Sequence, residues 1–491
     1  PYNVEALYRL ALMLHQGRQL ADDALPLIDV AISVQPGNPV LHSCRAMVLV
    51  DLNRQLDALE SLATACCIHP DLDTLYNIGL LCAKLCCPAQ AEVYARRLIT
   101  DRPDWPAAHY LLVQALTALG SDSDDLDTHY AFLIKSDPLN SALRFARGLL
   151  QLKTGNYLPG WEAQEWRWDI EPVKSSRIAC SQPRWAGGPL EGRRLLIMGE
   201  QGFGDVLQFA RYLPLLVEQG AQVTLRLDAN RASLARLLRR IERLEVIIEP
   251  EQLPPFDLYC PLASLPYVFN TTPQTIPATP YLQVDSADVT VWRERLANLP
   301  RPWTGLCWAG SAEHDHNIRR SLPLCSGSQY HAERLMRERR ISTVAARMAE
   351  VWNLDTLNEA AERDAAPALF TMEPLLRNRP GTFISLQIGP HAQDVHDLPD
   401  DLHSRFFAPL TKENDFYDTA CLIHALDEVI TVDTSVAHVT GALGQHGIVI
   451  KPAAPEWRWI EHLGRSAWYP SLKLVEQYAV AAPSSSYLHM P

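Results

Sequence analysis

No stretch of about 18 consecutive apolar residues occurs in the 491-residue sequence, so no membrane-spanning helix is expected. Positive charge is also in short supply. Lys and Arg number 44 against 57 Asp and Glu, a formal net charge of −13, which argues against a nucleic-acid backbone as the main partner. The eleven cysteines show no paired Cys-x-x-Cys spacing. Six of them, Cys44, Cys66, Cys67, Cys82, Cys86 and Cys87, sit in apolar helical patterns and read as reduced, buried small side chains in a cytoplasmic protein rather than a zinc site. The first residue is Pro1, so a missing targeting signal excludes little. What remains is an ordinary globular composition, 47% hydrophobic and 21% charged, with length for about two to four domains.

The first 170 residues repeat. Pro36, Pro70, Pro103 and Pro138 are spaced by 34, 33 and 35 residues, and two amphipathic helical patterns follow each. Small and aromatic residues recur where helix pairs must pack: Ala46, Ala58 and Ala65, then Tyr76, Gly79 and Ala91, then Ala108, Tyr110 and Ala115. This is the period of the tetratricopeptide repeat (TPR), and the segment resembles that family. One helix pair cannot bury its apolar face alone, so an α-solenoid is expected over residues 1–170. Its surface serves a protein or peptide partner, or else it is a spacer or dimerisation platform. A Trp-rich closing helix, Trp161–Trp168, is expected to dock the repeats onto the remainder of the chain, with residues 171–193 as a linker.

From Arg194 onward strands alternate with helices. Leu195–Met198, Val223–Leu227, Val246–Glu249 and Leu258–Leu262 predict one parallel sheet over residues 194–290. Residues 277 to 302 read as a crossing segment. Gly305–Gly310, Phe383–Gln387, Glu428–Val432 and Gly447–Ile450 predict a second sheet over residues 300–491. Two such units imply tandem Rossmann-like halves with a cleft between them. Residues 325–371 interrupt the rhythm with an Arg/Glu/Ala-rich helical insertion. Leu335, Val344, Met348, Val351 and Leu354 fall at helical spacing, beside a basic cluster of Arg334, Arg337, Arg339 and Arg340. That insertion reads as a solvated element, or as an acceptor-binding or assembly element at the cleft edge.

Two loops carry the chemistry. After the first strand comes Gly199-Glu200-Gln201-Gly202-Phe203-Gly204-Asp205. Gly202 and Gly204 let a ligand approach the backbone, and Asp205 either caps the next helix or faces the cleft. In the second half, Val432-Asp433-Thr434-Ser435-Val436-Ala437-His438 turns from a strand into a helix whose N-terminal N–H groups and dipole favour an anion.

In order and spacing, the repeats, Gly-Glu-Gln-Gly-Phe-Gly-Asp, Trp-Ala-Gly, Arg-Arg-Ser-Leu-Pro-Leu, Ser-Leu-Gln and Val-Asp-Thr-Ser-Val-Ala-His resemble bacterial TPR glycosyltransferases of GT-B type, related to the heptosyltransferases. The resemblance spans nearly the whole chain except the insertion. It implies an inverting transfer of a sugar from a nucleotide-sugar donor to a protein or glycan acceptor chosen in part by the repeats. It places Trp308, Gly310, Arg320, Gln387, Asp433, Thr434, Ser435 and His438 on the donor side. The leaving diphosphate calls for N–H donors at Thr434 and Ser435 and for a guanidinium at Arg320, with Arg319 beside it; the pair reads equally as a surface loop. His438 donates to a phosphate or is a helix histidine. Asp205 is the expected general base, with Glu200 in reserve. The catalytic half has no Asp-x-Asp at a strand end, and Asp122-Ser123-Asp124 lies in a repeat turn, so no metal and no cofactor beyond the donor is expected. A homo-oligomer is compatible with this reading. The alternative is a TPR interaction scaffold whose GT-B half is degenerate and non-catalytic.

Overall fold

The computed structural model describes residues 3–16, 20–171, 173–174, 180–310, 320–452, 454–462 and 465–477. The chain divides into two compact units. Pro1–Ser136 together with Gln329–Leu369 form one, and Asp137–Ser328 together with Phe370–Pro491 form the other.

The first unit is a helical repeat array: Val4–Gln16 with Ala21–Val34, Pro39–Asp51 with Gln55–Ile68, Leu72–Lys84 with Pro88–Asp101, and Pro106–Ala118 with Asp124–Ser136. Local chemistry sets these boundaries. Asn38 and Asp71 cap helix starts just after the repeat prolines, accepting from Val40 N (3.1 Å) and Thr74 N (2.8 Å). Within the pairs, Asn53, Cys86 and Gly120 adopt φ of 58°, 57° and 75°. Each turn closes with a bond from the following N–H to a carbonyl five residues back, as Arg54 N does to Leu49 O at 2.8 Å. The small residues at the pair interfaces are needed there. A Cβ on Gly79 would lie 2.6 Å from Leu111 Cδ2. Tyr110 faces outward instead, 41% exposed.

The insertion is less solvated than its charges suggest. Its helices Gln329–Trp352 and Thr356–Ala365 form a hairpin that packs on Gln55–Ile68 and Pro88–Asp101, the second helices of successive pairs. Ile341, Val344, Ala345, Met348, Leu357 and Ala360 are buried there, while Leu335 points away. Arg340 pairs with Asp57 (2.6 Å) and Glu60 (2.9 Å), and Trp352 Nε1 donates to Cys66 Sγ (3.1 Å). Arg334 is buried and Arg337 pairs with Glu338, so the basic cluster is only partly solvated.

The second unit opens with helices Ser141–Lys153 and Tyr157–Gln164, so the repeat boundary expected near residue 170 falls near 137 by packing. Aromatic packing is the reason. Trp161 sits among Phe209, Trp457 and Trp468, and its Nε1 donates to Thr271 O (2.9 Å). The expected linker is partly built in, because Trp185 is buried and its N donates to Tyr259 O (2.8 Å).

Two sheets complete this unit. β1 (Arg194–Met198), β2 (Gln222–Leu227), β3 (Leu244–Ile248) and β4 (Leu258–Pro261) form a parallel sheet in the order β3-β2-β1-β4. The second sheet holds β5 (Trp303–Cys307), β6 (Thr382–Ser385), β7 (Phe406–Phe407), β8 (Glu428–Val432), β9 (Gly447–Lys451), β10 (Glu461–His462), β11 (Arg465–Ser466) and β12 (Leu472–Glu476). Its order is β10-β11-β12-β9-β8-β5-β6-β7, with β11 antiparallel to both β10 and β12 and the remaining pairs parallel. The direction of winding reverses between β1 and β4 in one sheet and between β5 and β8 in the other. Ligands bind at such switch points in open α/β sheets, beyond the carboxyl ends of the strands. The two Gly- and Asp-bearing loops leave β1 and β8 at these points. The architecture is the expected α + α/β combination, a TPR-type array and tandem Rossmann-like halves. No described helix is long and apolar enough to cross a membrane.

Candidate functional site

The loop after β1 turns at Gln201 (φ 63°) and starts the helix Phe203–Phe209. Asp205 accepts from Gly202 N (2.9 Å), so it caps the helix as one of its two readings required. Its other oxygen is bound by Arg458, from the short turn Trp457–Trp459 of the second half. One oxygen therefore caps the helix while the other is held from the second half. An ionised carboxyl has about four lone-pair positions, and these two bonds leave others open.

Glu200 does not sit as a reserve base should. It is buried, held by both arms of Arg167 (2.9 and 2.7 Å), and accepts from Ala263 N (3.2 Å). Arg167, itself 2% exposed, also binds Ser264 Oγ (2.7 Å). This is a buried ion pair that joins the helix after the repeats to the loops after β1 and β4.

In the second half, Thr434 is the N-cap of the helix Ser435–Ala442, in extended conformation (φ −146°) and without a side-chain cap bond. Its hydroxyl turns back to Thr431 Oγ1 (3.0 Å) and Cys307 Sγ (3.6 Å). Thr434 and Ser435 are half-buried. Arg320 lies between β5 and β6 in the chain. A Cβ on Gly310 would meet its Nε at 2.6 Å, so the guanidinium lies on the Gly310 backbone, and that Nε is buried with no partner among the described residues. Arg319 lies outside the described residues. Asp433 is buried and its carboxyl is pushed up to about 6. Burial is the main cause, followed by repulsion from Glu456, against the opposing pull of Trp459, Arg320 and Arg458.

Three donor-side candidates are more buried than a ligand-facing role would suggest. Trp308 is wholly buried in the core under the second sheet. Its Nε1 donates to Asp394 (3.0 Å), so its ring cannot reach a ligand. Gln387 braces the loop rather than facing the cleft: its Oε1 accepts from Trp308 N (3.1 Å) and Ala309 N (3.0 Å). His438 packs as a helix histidine. It is 4% exposed, bonds Tyr469 Oη through Nδ1 (2.9 Å) and lies against Trp459. Burial, with the nearby Arg458 and Arg211 charges, holds its imidazole well below the ordinary value and hence neutral.

Asp205, Gly204, Thr434, Ser435 and Asp433 belong to one region where the halves meet. A Cβ on Gly204 would come within 3.0 Å of the His438 ring, so the two helix starts touch here because residue 204 has no side chain. Sequence reasoning missed Gln208, Arg211 and Arg458. Gln208 and Arg211 follow Asp205 at three-residue steps, a polar stripe on an otherwise apolar helix that was legible in principle. Arg458, within Trp457-Arg458-Trp459, lies in a stretch without periodicity. Among the described residues, no group of three or more His, Cys, Asp or Glu side chains is placed to hold a metal ion.

No protein-family profile matches the chain. Over 466 residues it is 27% identical to Protein FlbA of Caulobacter vibrioides, covering 89% of this chain and 70% of that protein. Among solved structures, it is similar to the E. coli ADP-heptose LPS heptosyltransferase II, with 12% identity and a TM-score of 0.35, over 60% of this chain and 96% of that one. It is also similar to a point variant of the Thermobaculum terrenum O-GlcNAc transferase, with 12% identity and a TM-score of 0.28, over 85% and 83% of the two chains.

Proposed function

We propose that the chain is a metal-independent, inverting glycosyltransferase that moves a sugar from a nucleotide-sugar donor to a protein or glycan acceptor selected in part by the repeats. The observation that carries this reading is a carboxylate beyond β1, Asp205, on a helix that packs against the uncapped helix start beyond β8, together with a guanidinium, Arg320, whose Nε has no partner among the described residues. The acceptor hydroxyl attacks the anomeric carbon and gives its proton to Asp205. The bond to the diphosphate oxygen breaks, and the departing charge falls on the N–H groups at Thr434 and Ser435 and on Arg320. Gly310 provides the flat bed on which that guanidinium lies.

The scaffold alternative draws on a specific observation, since Glu200 and Asp205 are both engaged by arginines. Turnover separates the two readings. The test is a panel of UDP-, GDP- and ADP-sugars, read by thermal shift and by release of nucleoside diphosphate. Arg320→Ala is expected to weaken binding of the selected donor by about 1–3 kcal/mol, roughly fivefold to 150-fold. Unchanged affinity overturns the assignment of the diphosphate to this helix start, and binding without turnover selects the scaffold.

A further inference from the structure

Asp205 and Gln208 on the helix Phe203–Phe209, and Arg211 on the 3-10 turn Ala210–Tyr212 that continues it, follow one another at three-residue steps. All three reach across to the second half. Arg458 Nη2 binds Asp205, and its Nε donates to Gln208 Oε1 (2.8 Å). In the opposite sense, Arg211 Nη1 donates to Trp468 O (2.8 Å), and its guanidinium lies over the rings of Trp468 (4.9 Å) and Tyr469 (4.6 Å). Each half thus inserts one arginine into the other. Arg458 is 17% exposed, lies over the Trp457 ring (4.7 Å) and is also bound by Glu456. Its own half thus contacts it through both Trp457 and Glu456.

Resting on the proposed function above, we propose that Arg458 is the positioning residue of the base: from the second half it holds the Asp205 carboxylate and the turn that bears it, so that the base is in place only when the halves are closed on one another. The geometry has the required form. A planar fork spans two side chains one turn apart on the partner helix, which fixes direction as well as distance. Asp205 meanwhile keeps its bond from Gly202 N, and its remaining lone pairs stay free for the acceptor proton. Without Arg458 the carboxylate keeps only the contact within its own loop. Transfer chemistry tolerates misplacement poorly, and a displacement of about 1 Å costs on the order of a hundredfold.

The test compares Arg458→Met and Arg458→Lys with the wild type in the full chain. It uses turnover of the sugar donor selected from the UDP-, GDP- and ADP-sugar panel, and hydrogen exchange by mass spectrometry. In the Met variant, kcat is expected to fall about 10- to 100-fold with donor KM unchanged within twofold. Exchange is expected to rise in residues 202–209 while β1 and β8 stay protected. Lys, which keeps one charged bond to Asp205, is expected to recover part of kcat. Three results overturn the proposal: no change in exchange at 202–209, a loss carried by donor KM, or a rise in exchange spread over both sheets, which marks a merely structural role. Exchange needs no turnover. Failure of the glycosyltransferase reading shows as an inactive wild type, whereas failure of the Arg458 proposal shows as an unmoved exchange pattern.

Discussion

Glu200 carries its charge into a place with almost no water, and Arg167 is what makes that tolerable. Removing Glu200 leaves the buried Arg167 with Glu165 (3.0 Å) as its one remaining carboxylate, and breaking such a pairing costs more than the pair itself contributes. Glu200→Gln is therefore expected to destabilise the second unit by about 3–5 kcal/mol, read as a shift of the denaturation midpoint at unchanged slope. A reserve base would lose turnover with stability intact, so the two roles separate on one substitution. The geometry of the loop was legible, because Gly202, Gly204 and Asp205 act through the local backbone. Their partners were not legible: Arg167 lies 33 residues before Glu200, and Arg458 lies 253 after Asp205. Sequence pattern reports periodicity and caps, whereas ion pairs of that separation are decided by packing. The same limit explains Trp308. Its place in a Trp-Ala-Gly motif after a strand suits a ligand platform as well as a core residue, and only its burial decides between them.

At the scale of elements, the strands that bear the site were found within about two residues, because each is a short apolar run flanked by turn residues. The strands that were missed, β7 and β10 to β12, lie on the flanks of the second sheet, and β7, β10 and β11 are only two residues each. The insertion was misread for a different reason. Its charges suggested solvent, yet several have acidic or backbone partners on the repeats. Asp364 shows this best. Its two oxygens accept from Ala89 N and Gln90 N, each at 3.0 Å, at the start of Pro88–Asp101, a helix whose own N-cap residue, Cys87, makes no side-chain cap bond. A carboxylate there satisfies open donors and opposes the helix dipole. Asp364→Ala is expected to destabilise the repeat unit by about 1–2 kcal/mol, the usual cost of losing a cap. Asp364→Asn is expected to recover about half, since an amide oxygen still accepts one bond. Equal melting temperatures for all three proteins would show that Asp364 does not stabilise this helix start.

At the scale of the whole molecule, the repeats and their hairpin form one folding unit that the chain visits twice. This changes how the acceptor role is tested. Removing residues 1–136 alone strands the hairpin with Ile341, Met348 and Leu357 facing water, and such a protein is expected to aggregate. A clean excision takes residues 1–136 and 329–369 together. The second unit can close that gap, because Met372 N donates to Pro323 O (2.8 Å) and the flanks of the insertion therefore lie side by side. A short Gly/Ser linker suffices there. The helices from Ser141 to Gln164 must stay, since Trp161 is part of the core of the sheets. The core protein so made is expected to bind the selected nucleotide sugar within about twofold of the full chain, because Thr434, Ser435 and Arg320 are untouched. Transfer to the native acceptor is expected to fall by at least about a hundredfold, as the effective concentration supplied by a linked binding module is lost, while slow donor hydrolysis persists. If transfer to that acceptor proceeds at the full rate, the repeats do not select it, and their partner is something other than the acceptor.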